Sequence, residues 1–429
     1  MKFRPKYIHW LFLLTSLLGF VVLPLSAEQK RKPLMQIQDP SPEQLELLPK
    51  NLARWHLGAQ LLLPKKSGGF ELFKPSQQDE FPAGILLQDD ETAGVSLEPG
   101  KHNFVIDLGR FQTVGRFSST SFGATGSLVL RSSDTLQDLD SPNWVQLGRE
   151  VPFLKNDSID LRFPLTDTRY LWIEAKIDQA GELGNLSAMG MLNLTNVNLQ
   201  ERWKSPGGSG PQSTGPEGGV ITKSTPFDYG TIYAGARVSH VSAGDPRVAN
   251  FLIDDDLLTY YEVPREAESS VMIFDLQEER DLERISLLME SGAGTVEVYF
   301  TNKLPFESAP QNFEENSTVR FWSHPETGHP LLLAATAQYD LAFAQQFAQN
   351  SRYQTIEVDE NFLDQLEMPS SIPVESGSGR VQVPVPSTNA RYVIIRWIPD
   401  ADMPLGLRIF EVSMIGRIPT EEPIVEVIS

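Results

Sequence analysis

The sequence predicts an all-β chain built as two β-sandwich domains, the second carrying a partly helical insertion. Three features lead there: short β-rich runs bounded by turn residues, a Gly/Pro/Ser tether mid-chain, and an order of motifs that occurs twice.

The strand signals come first. "HNFVIDLG", "GSLVLRSS" and "RYLWIEAKI" precede the tether, and "SVMIFDL", "GTVEVYFTN" and "RYVIIRWIP" follow it. Runs this short, rich in β-branched and aromatic residues and bounded by Gly, Pro, Asn and Asp, read as strands. The stretch 331–362, "LLLAATAQYDLAFAQQFAQN…", is the exception, because its alanine and glutamine favour helix.

The tether, 205–219, reads "SPGGSGPQSTGPEGG" and holds nothing that can bury apolar surface. It separates a first sandwich over 45–202 from a second over 220–418, with the linker at 203–219, an insertion at about 303–387 and a tail at 419–429.

The repeat is the most informative feature. "ILLQDDETAGVSLEPGKHNFVIDLGRFQTVGRFS" lies against "FLIDDDLLTYYEVPREAESSVMIFDLQEERDLERIS", and "TDTRYLWIEA" against "TNARYVIIRW". Each copy runs from an acidic turn through a strand ending in Asp-Leu to an Arg-Tyr that opens a later strand. Asp107 and Tyr170 are 63 residues apart, and Asp275 and Tyr392 are 117 apart. The excess places the insertion in copy two.

The chain start reads as a secretory signal peptide over 1–27. Lys2, Arg4 and Lys6 precede an apolar run from Trp10 to Leu25, and Leu-Ser-Ala stands before Glu28. The run is short for a bilayer span, which takes about 20 apolar residues, so cleavage after Ala27 is the expectation. That makes the protein secreted, periplasmic or cell-surface, with no membrane span after cleavage. There is no cysteine, which removes thiol nucleophiles and zinc–cysteine sites and suggests a bacterial export product. The net charge of −20 excludes nucleic acid as a partner. It suits divalent cations or neutral partners, or simply solubility.

The motif order resembles the discoidin, or coagulation-factor-5/8-type-C, family, whose fold is the galactose-binding-like jelly roll. Copy two carries it in "LIDDDLLTYYEV", "MIFDL", "ARYVIIRW" and "RIFEVSMIG"; copy one carries it in "LLQDDETAG", "FVIDLG" and "TRYLWIEA". Relatives have glycine where Asp255 stands and tryptophan where Tyr261 stands. Copy one lacks the Thr-x-aromatic after its acidic turn and the glutamate of the last strand, so any site is expected in copy two.

The resemblance implies two sites. Bacterial relatives hold a structural calcium ion with the acidic turn and a glutamate of the last strand, which here are Asp254, Asp256, Thr259 and Glu411; calcium takes six to eight oxygens. The alternative is a solvated turn capping a strand, which is also the reading for Asp89 and Asp90. Sugar-binding relatives grip hydroxyls with an early His and an Arg after the turn, matched by His240 and Arg265, with Tyr260 or Tyr261 as aromatic platform. Each of these also has an ordinary reading: loop His, surface ion pair, or core tyrosine.

Catalytic motifs are absent. No Gly-x-Ser-x-Gly, His-Glu-x-x-His or phosphate loop occurs, and "HPETGHP" (324–330) reads as a loop. The expected function is therefore a non-catalytic binding or adhesion protein that recognises a glycan through the second domain. The alternative is a structural or scaffold protein that contacts envelope proteins through both sandwiches.

Overall fold

A computed structural model describes residues 31–40, 50–54, 59–72, 85–87, 90, 92–191, 226–290, 292–306, 352–367, 370–377, 379–400 and 406–417. The expected signal peptide, the expected tether, "HPETGHP" and residues 331–351 of the expected helix lie outside these. Among the described residues no helix is long and apolar enough to cross a membrane.

The chain folds into two antiparallel sheet systems. β1 (Arg31–Ile37) precedes the first. The first comprises β2 (Lys50–Asn51), β3 (Gln60–Pro64), β4 (Phe70–Leu72), β5 (Gly94–Leu97), β6 (Gly100–Phe122), β7 (Thr125–Ser133), β8 (Val145–Phe153), β9 (Ser158–Gln179) and β10 (Gly181–Met191). Its order is β2-β10-β6-β9-β7-β8, with β3 joined to β6 and β5 to β10. The second comprises β11 (Pro226–Asp228), β12 (Arg237–Val241), β13 (Tyr261–Val263), β14 (Ser270–Glu290), β15 (Gly294–Thr301), β16 (Tyr353–Asp359), β17 (Ser370–Val374), β18 (Arg380–Pro399) and β19 (Leu407–Arg417).

Each system becomes a sandwich because its two longest strands bend between layers. β6 and β9 pair as Asp107↔Tyr170 before a register break and as Gln112↔Thr168 after it. β14 and β18 do the same, with Asp275↔Tyr392 before and Arg280↔Ala390 after. The Asp and Tyr that mark the sequence repeat are thus cross-strand partners in both copies, and the insertion lies between them without disturbing the pairing.

The chemistry of the bend repeats too. The Asp107 carboxylate accepts from the Gly109 amide at 2.8 Å and from Arg169 Nε at 2.9 Å. Asp275 accepts from the Gln277 amide at 2.8 Å and from Arg391 Nε at 2.8 Å. Gly109 and Gln277 occupy matching left-handed positions, φ 75° and 67°. Both guanidinium groups then lie over the following tyrosine, at 5.0 Å from the Tyr170 ring and 4.9 Å from the Tyr392 ring.

Alternation sets the cores. Met272 and Phe274 of β14 face the interior of the second sandwich with Ile395 and Val412. Val271 and Ile273 point to the other side and are covered by Leu34, Val358, Phe362 and Leu363. A strand buried on both faces reads as a continuous apolar run, which accounts for "SVMIFDL".

Part of that outer cover comes from outside the expected limits of the second sandwich, 220–418, and part from its insertion. β1 lies before residue 45, yet it inserts between β12 and β16 of the second sandwich: Met35 pairs with Val241, and Ile37 with Tyr353. Among the described residues of the expected helical stretch 331–362, Tyr353–Asp359 is strand β16, and the 3-10 turn Phe362–Gln365 begins at its end. Alternating Gln354-Thr355-Ile356-Glu357-Val358 suits an edge strand, and β1 supplies the ladder that local helix propensity cannot see.

Candidate functional site

The acidic turn of copy two follows the 3-10 helix Pro246–Leu252, which Asp245 caps by accepting from the Arg247 amide. Asp255 adopts φ 58°. This is the left-handed conformation that favours glycine, and Asp and Asn are the other residues that best tolerate it. The kink throws the three carboxylates in different directions.

The four residues expected to cage calcium do meet here. Thr259 Oγ1 donates to Asp254 at 2.9 Å, the Asp256 amide donates to Asp254 at 3.2 Å, and the Asp255 amide donates to Glu411 Oε2 at 3.0 Å. Their negative charge, however, is met by arginines of the other sandwich. Arg116 forks onto Asp256 at 2.9 and 2.8 Å. Arg54 pairs with Asp255 and donates to Asn185 Oδ1 at 3.0 Å. Both arginine side chains are almost fully buried, 1 % and 3 % exposed.

Protonation follows the geometry. Burial opposes ionisation of Asp256, but the charge and hydrogen bonds of Arg116 outweigh it and hold its carboxyl below the ordinary value. Burial, reinforced by Asp256, pushes Asp254 well above it. Burial also raises the Tyr233 hydroxyl, helped by Asp254, Asp255, Asp256 and Glu411.

These residues do not fit calcium as they stand. Both Asp256 oxygens are engaged by a guanidinium, and burial makes ionisation of Asp254 costlier. Among the described residues no group of three or more His, Cys, Asp or Glu is placed to hold a metal ion.

The arrangement is reciprocal. In the repeat, Asp90 matches Asp256 and Arg284 matches Arg116; each arginine stands nine residues after the Asp of its Asp-Leu. Arg284 of the second sandwich pairs with buried Asp90 of the first. Asp90 also accepts from the Thr92 amide at 2.9 Å. Arg380 donates to the Thr92 carbonyl at 2.8 Å, and Gln382 to the Thr92 hydroxyl at 2.7 Å. Each copy therefore offers its acidic turn to the equivalent arginine of the other, the geometry of an isologous dimer built within one chain. None of Arg54, Arg116, Arg284, Arg380 and Gln382 was anticipated; the equal spacing of Arg116 and Arg284 within the repeat marks them as equivalent but does not say what they pair with.

The residues expected to bind sugar are not brought together. His240 is 1 % exposed. It lies in strand β12, not a loop, with its ring edge-on to Phe306 at 5.4 Å. Burial lowers its pKa to about 4 against a weaker opposing pull from Asp275. Tyr261 is fully buried and donates to the Ala243 carbonyl; Gly244 leaves room for its ring, since a Cβ there would sit 2.6 Å from the hydroxyl. Tyr260 is 41 % exposed. Arg408 lies 5.2 Å from its ring and Phe410 6.1 Å.

Arg265 borders a cleft of 360 Å³ at the end of the second sandwich. Glu266, Glu268 and Asp400 line it with Trp397 and Leu407. Among the described residues no ion pair engages any of these four charged side chains.

Fold and interface together define an all-β protein of two sandwiches docked through reciprocal arginine–carboxylate pairs. No family model and no curated protein matches the chain. Similar solved structures include a fucolectin from striped bass serum, 11 % identical, covering 86 % of this chain and 99 % of that one, TM-score 0.25. The family 32 carbohydrate-binding module of Clostridium perfringens NanJ, in complex with galactose, is 12 % identical over 43 % of this chain and 95 % of its own, TM-score 0.24. Allantoicase from Saccharomyces cerevisiae is 8 % identical over 89 % and 99 %, TM-score 0.23. Likenesses this weak carry no argument about ligand or activity.

Proposed function

We propose that the protein is an exported, non-catalytic glycan-binding protein of discoidin type, with its sugar site in the second sandwich at the Arg265 cleft. The observation that carries this is the set of unpaired charges lining one cleft. Arg265 is a multiple donor, while Glu266, Glu268 and Asp400 are acceptors. The volume of 360 Å³ lies within the usual range of small-ligand sites, about 300–1,000 Å³. A sugar ring presents alternating donors and acceptors along its edge and an apolar face, which Trp397 and Leu407 suit. His240 and Tyr261 belong to the core in this reading, and no calcium is required.

A glycan array probed with the mature chain tests the proposal, with Arg265→Ala as the paired variant. Binding that Arg265→Ala weakens at least tenfold supports it. Absence of binding to any glycan sinks it and favours the scaffold alternative.

A further inference from the structure

The family resemblance implies a calcium ion at Asp254, Asp256, Thr259 and Glu411, and the residues there do not fit one. They fit a different cation, and the structure holds it. Two guanidinium groups of the first sandwich lie against the acidic turn of the second, each with all three of its nitrogens engaged. Arg54 donates through Nε to Asp255 Oδ2 at 3.3 Å, through Nη2 to Asp255 Oδ1, and through Nη1 to Asn185 Oδ1 at 3.0 Å. Arg116 donates through Nη1 and Nη2 to the two oxygens of Asp256 at 2.9 and 2.8 Å, and through Nε to Asp160 at 2.9 Å.

Acceptors in this arrangement suit a flat, three-armed donor. A guanidinium is planar, and its N–H groups form a rigid fork that matches a carboxylate with two parallel bonds. Calcium instead takes six to eight oxygens around a single point. Here Asp255 and Asp256 each answer a different guanidinium, and among the described residues no three His, Cys, Asp or Glu are placed around one ion.

Burial adds to the case. The Arg54 and Arg116 side chains are almost completely buried, and so is Asn185. Charges so deep are tolerated when they are paired and their hydrogen bonds are met, which is the situation of all six nitrogens. The acceptors come from both sandwiches, Asn185 and Asp160 from the first and Asp255 and Asp256 from the second, so the receptor is complete only when the two are docked. The reciprocal pair is less fully built: the Arg284 side chain is 31 % exposed, and its Nε has no hydrogen-bond partner among the described residues.

We propose that the acidic turn of the second sandwich, closed by Asn185 and Asp160 of the first, is a guanidinium-binding site that Arg54 and Arg116 fill in place of a metal ion. Such a site remains a receptor for the free cation when its arginine is truncated. It does not rest on the glycan reading.

The test uses the full mature chain with Arg54→Ala, which leaves Asp255 and Asn185 facing the space of the lost head group. The probes are millimolar methylguanidinium, methylurea as its neutral isostere, and calcium, each at matched ionic strength, and the readout is thermal melting. Arg54→Ala should melt at least about 5 °C below the parent, because one buried charge has lost its partner. Methylguanidinium should raise the melting temperature of the variant in step with the logarithm of its concentration, recovering about half of the loss. Methylurea and calcium should not, and the parent, whose site is full, should respond to none of the three. Arg54→Lys keeps the charge but not the fork, so it should melt closer to Arg54→Ala than to the parent. The inference is overturned if methylguanidinium fails to raise the variant, if methylurea raises it equally, or if Arg54→Lys melts with the parent. Greater recovery with calcium than with methylguanidinium would also overturn it, by assigning the turn to a metal ion. Should Arg54→Ala not fold unaided, refolding from urea becomes the readout: native protein recovered with methylguanidinium but not methylurea supports the site, and recovery with neither overturns it. Glycan binding at Arg265 is read with different ligands, so either proposal can fail while the other stands.

Discussion

Replacing Arg116 with methionine keeps most of the buried stem and removes the charge that answers Asp256. Arg116 is 3 % exposed, and Asp256 accepts from it at 2.8 and 2.9 Å. Afterwards the Leu258 amide, at 2.9 Å, still donates to the Asp256 carboxylate. Breaking a buried pair by removing one partner costs about 3–5 kcal/mol, because the other charge is left behind. Asp256→Asn alone should cost less, about 1–3 kcal/mol, since Arg116 retains Asp160 at 2.9 Å. The double variant should then cost about 2 kcal/mol less than the sum of the singles, the coupling expected of residues in direct contact. Urea unfolding of the parent, both singles and the double supplies the cycle. Because the pair docks two folded units, Arg116→Met should also split one transition into two. A cost below about 1 kcal/mol for Arg116→Met, or additivity within about 0.5 kcal/mol, would refute the claim that this pair holds the sandwiches together.

Further outcomes follow from the same geometry. Asp254 has its carboxyl pKa raised by burial and by Asp256, so the folded state holds its proton more tightly than the unfolded chain. Stability therefore falls as pH rises through the interval from 3.8 to the raised folded value. Asp254→Asn should accordingly raise the melting temperature at pH 7 and have a smaller effect at pH 3.5; no gain at pH 7 would contradict the upward shift of its carboxyl. His240, with its pKa lowered from 6.5 to about 4, binds its proton more weakly when folded, so stability is lost as pH falls from 6.5 to about 4. The loss attributable to it is roughly 3 kcal/mol, and His240→Phe should flatten that part of the stability–pH curve. Gln277→Gly should stabilise by about 1 kcal/mol, because φ 67° costs a non-glycine residue about 1–2 kcal/mol, part of which the more flexible unfolded glycine offsets. Calcium at millimolar concentration should leave the melting temperature unchanged; a rise that Glu411→Ala removes would restore the calcium cage.

Local physics made much of this protein legible from its residues. The alternation of "HNFVIDLG" and the doubly apolar run "SVMIFDL" depend only on which faces of a strand are buried. The order of Asp107 and Tyr170 and of Asp275 and Tyr392 marked equivalent positions in the two copies and placed the insertion in the second; that these positions are bends closed by an arginine is a tertiary finding. Asp255 in a glycine position was readable as a conformational demand, and the left-handed turn is its answer.

Charge pairing across the interface was not legible, and the reason is distance along the chain. Arg54 and Asp255 are separated by 201 residues and Arg116 and Asp256 by 140. No periodicity links such pairs; only the docking of one sandwich on the other decides whether a carboxylate faces water, a cation or an arginine. Tertiary contact also placed His240 beneath Phe306, and brought β1 from the chain start into the far sheet to complete a ladder that β12 and β16 leave open. The residue types set what each group can do, and long-range packing, which fixes dielectric and partner, decided which of those things it does.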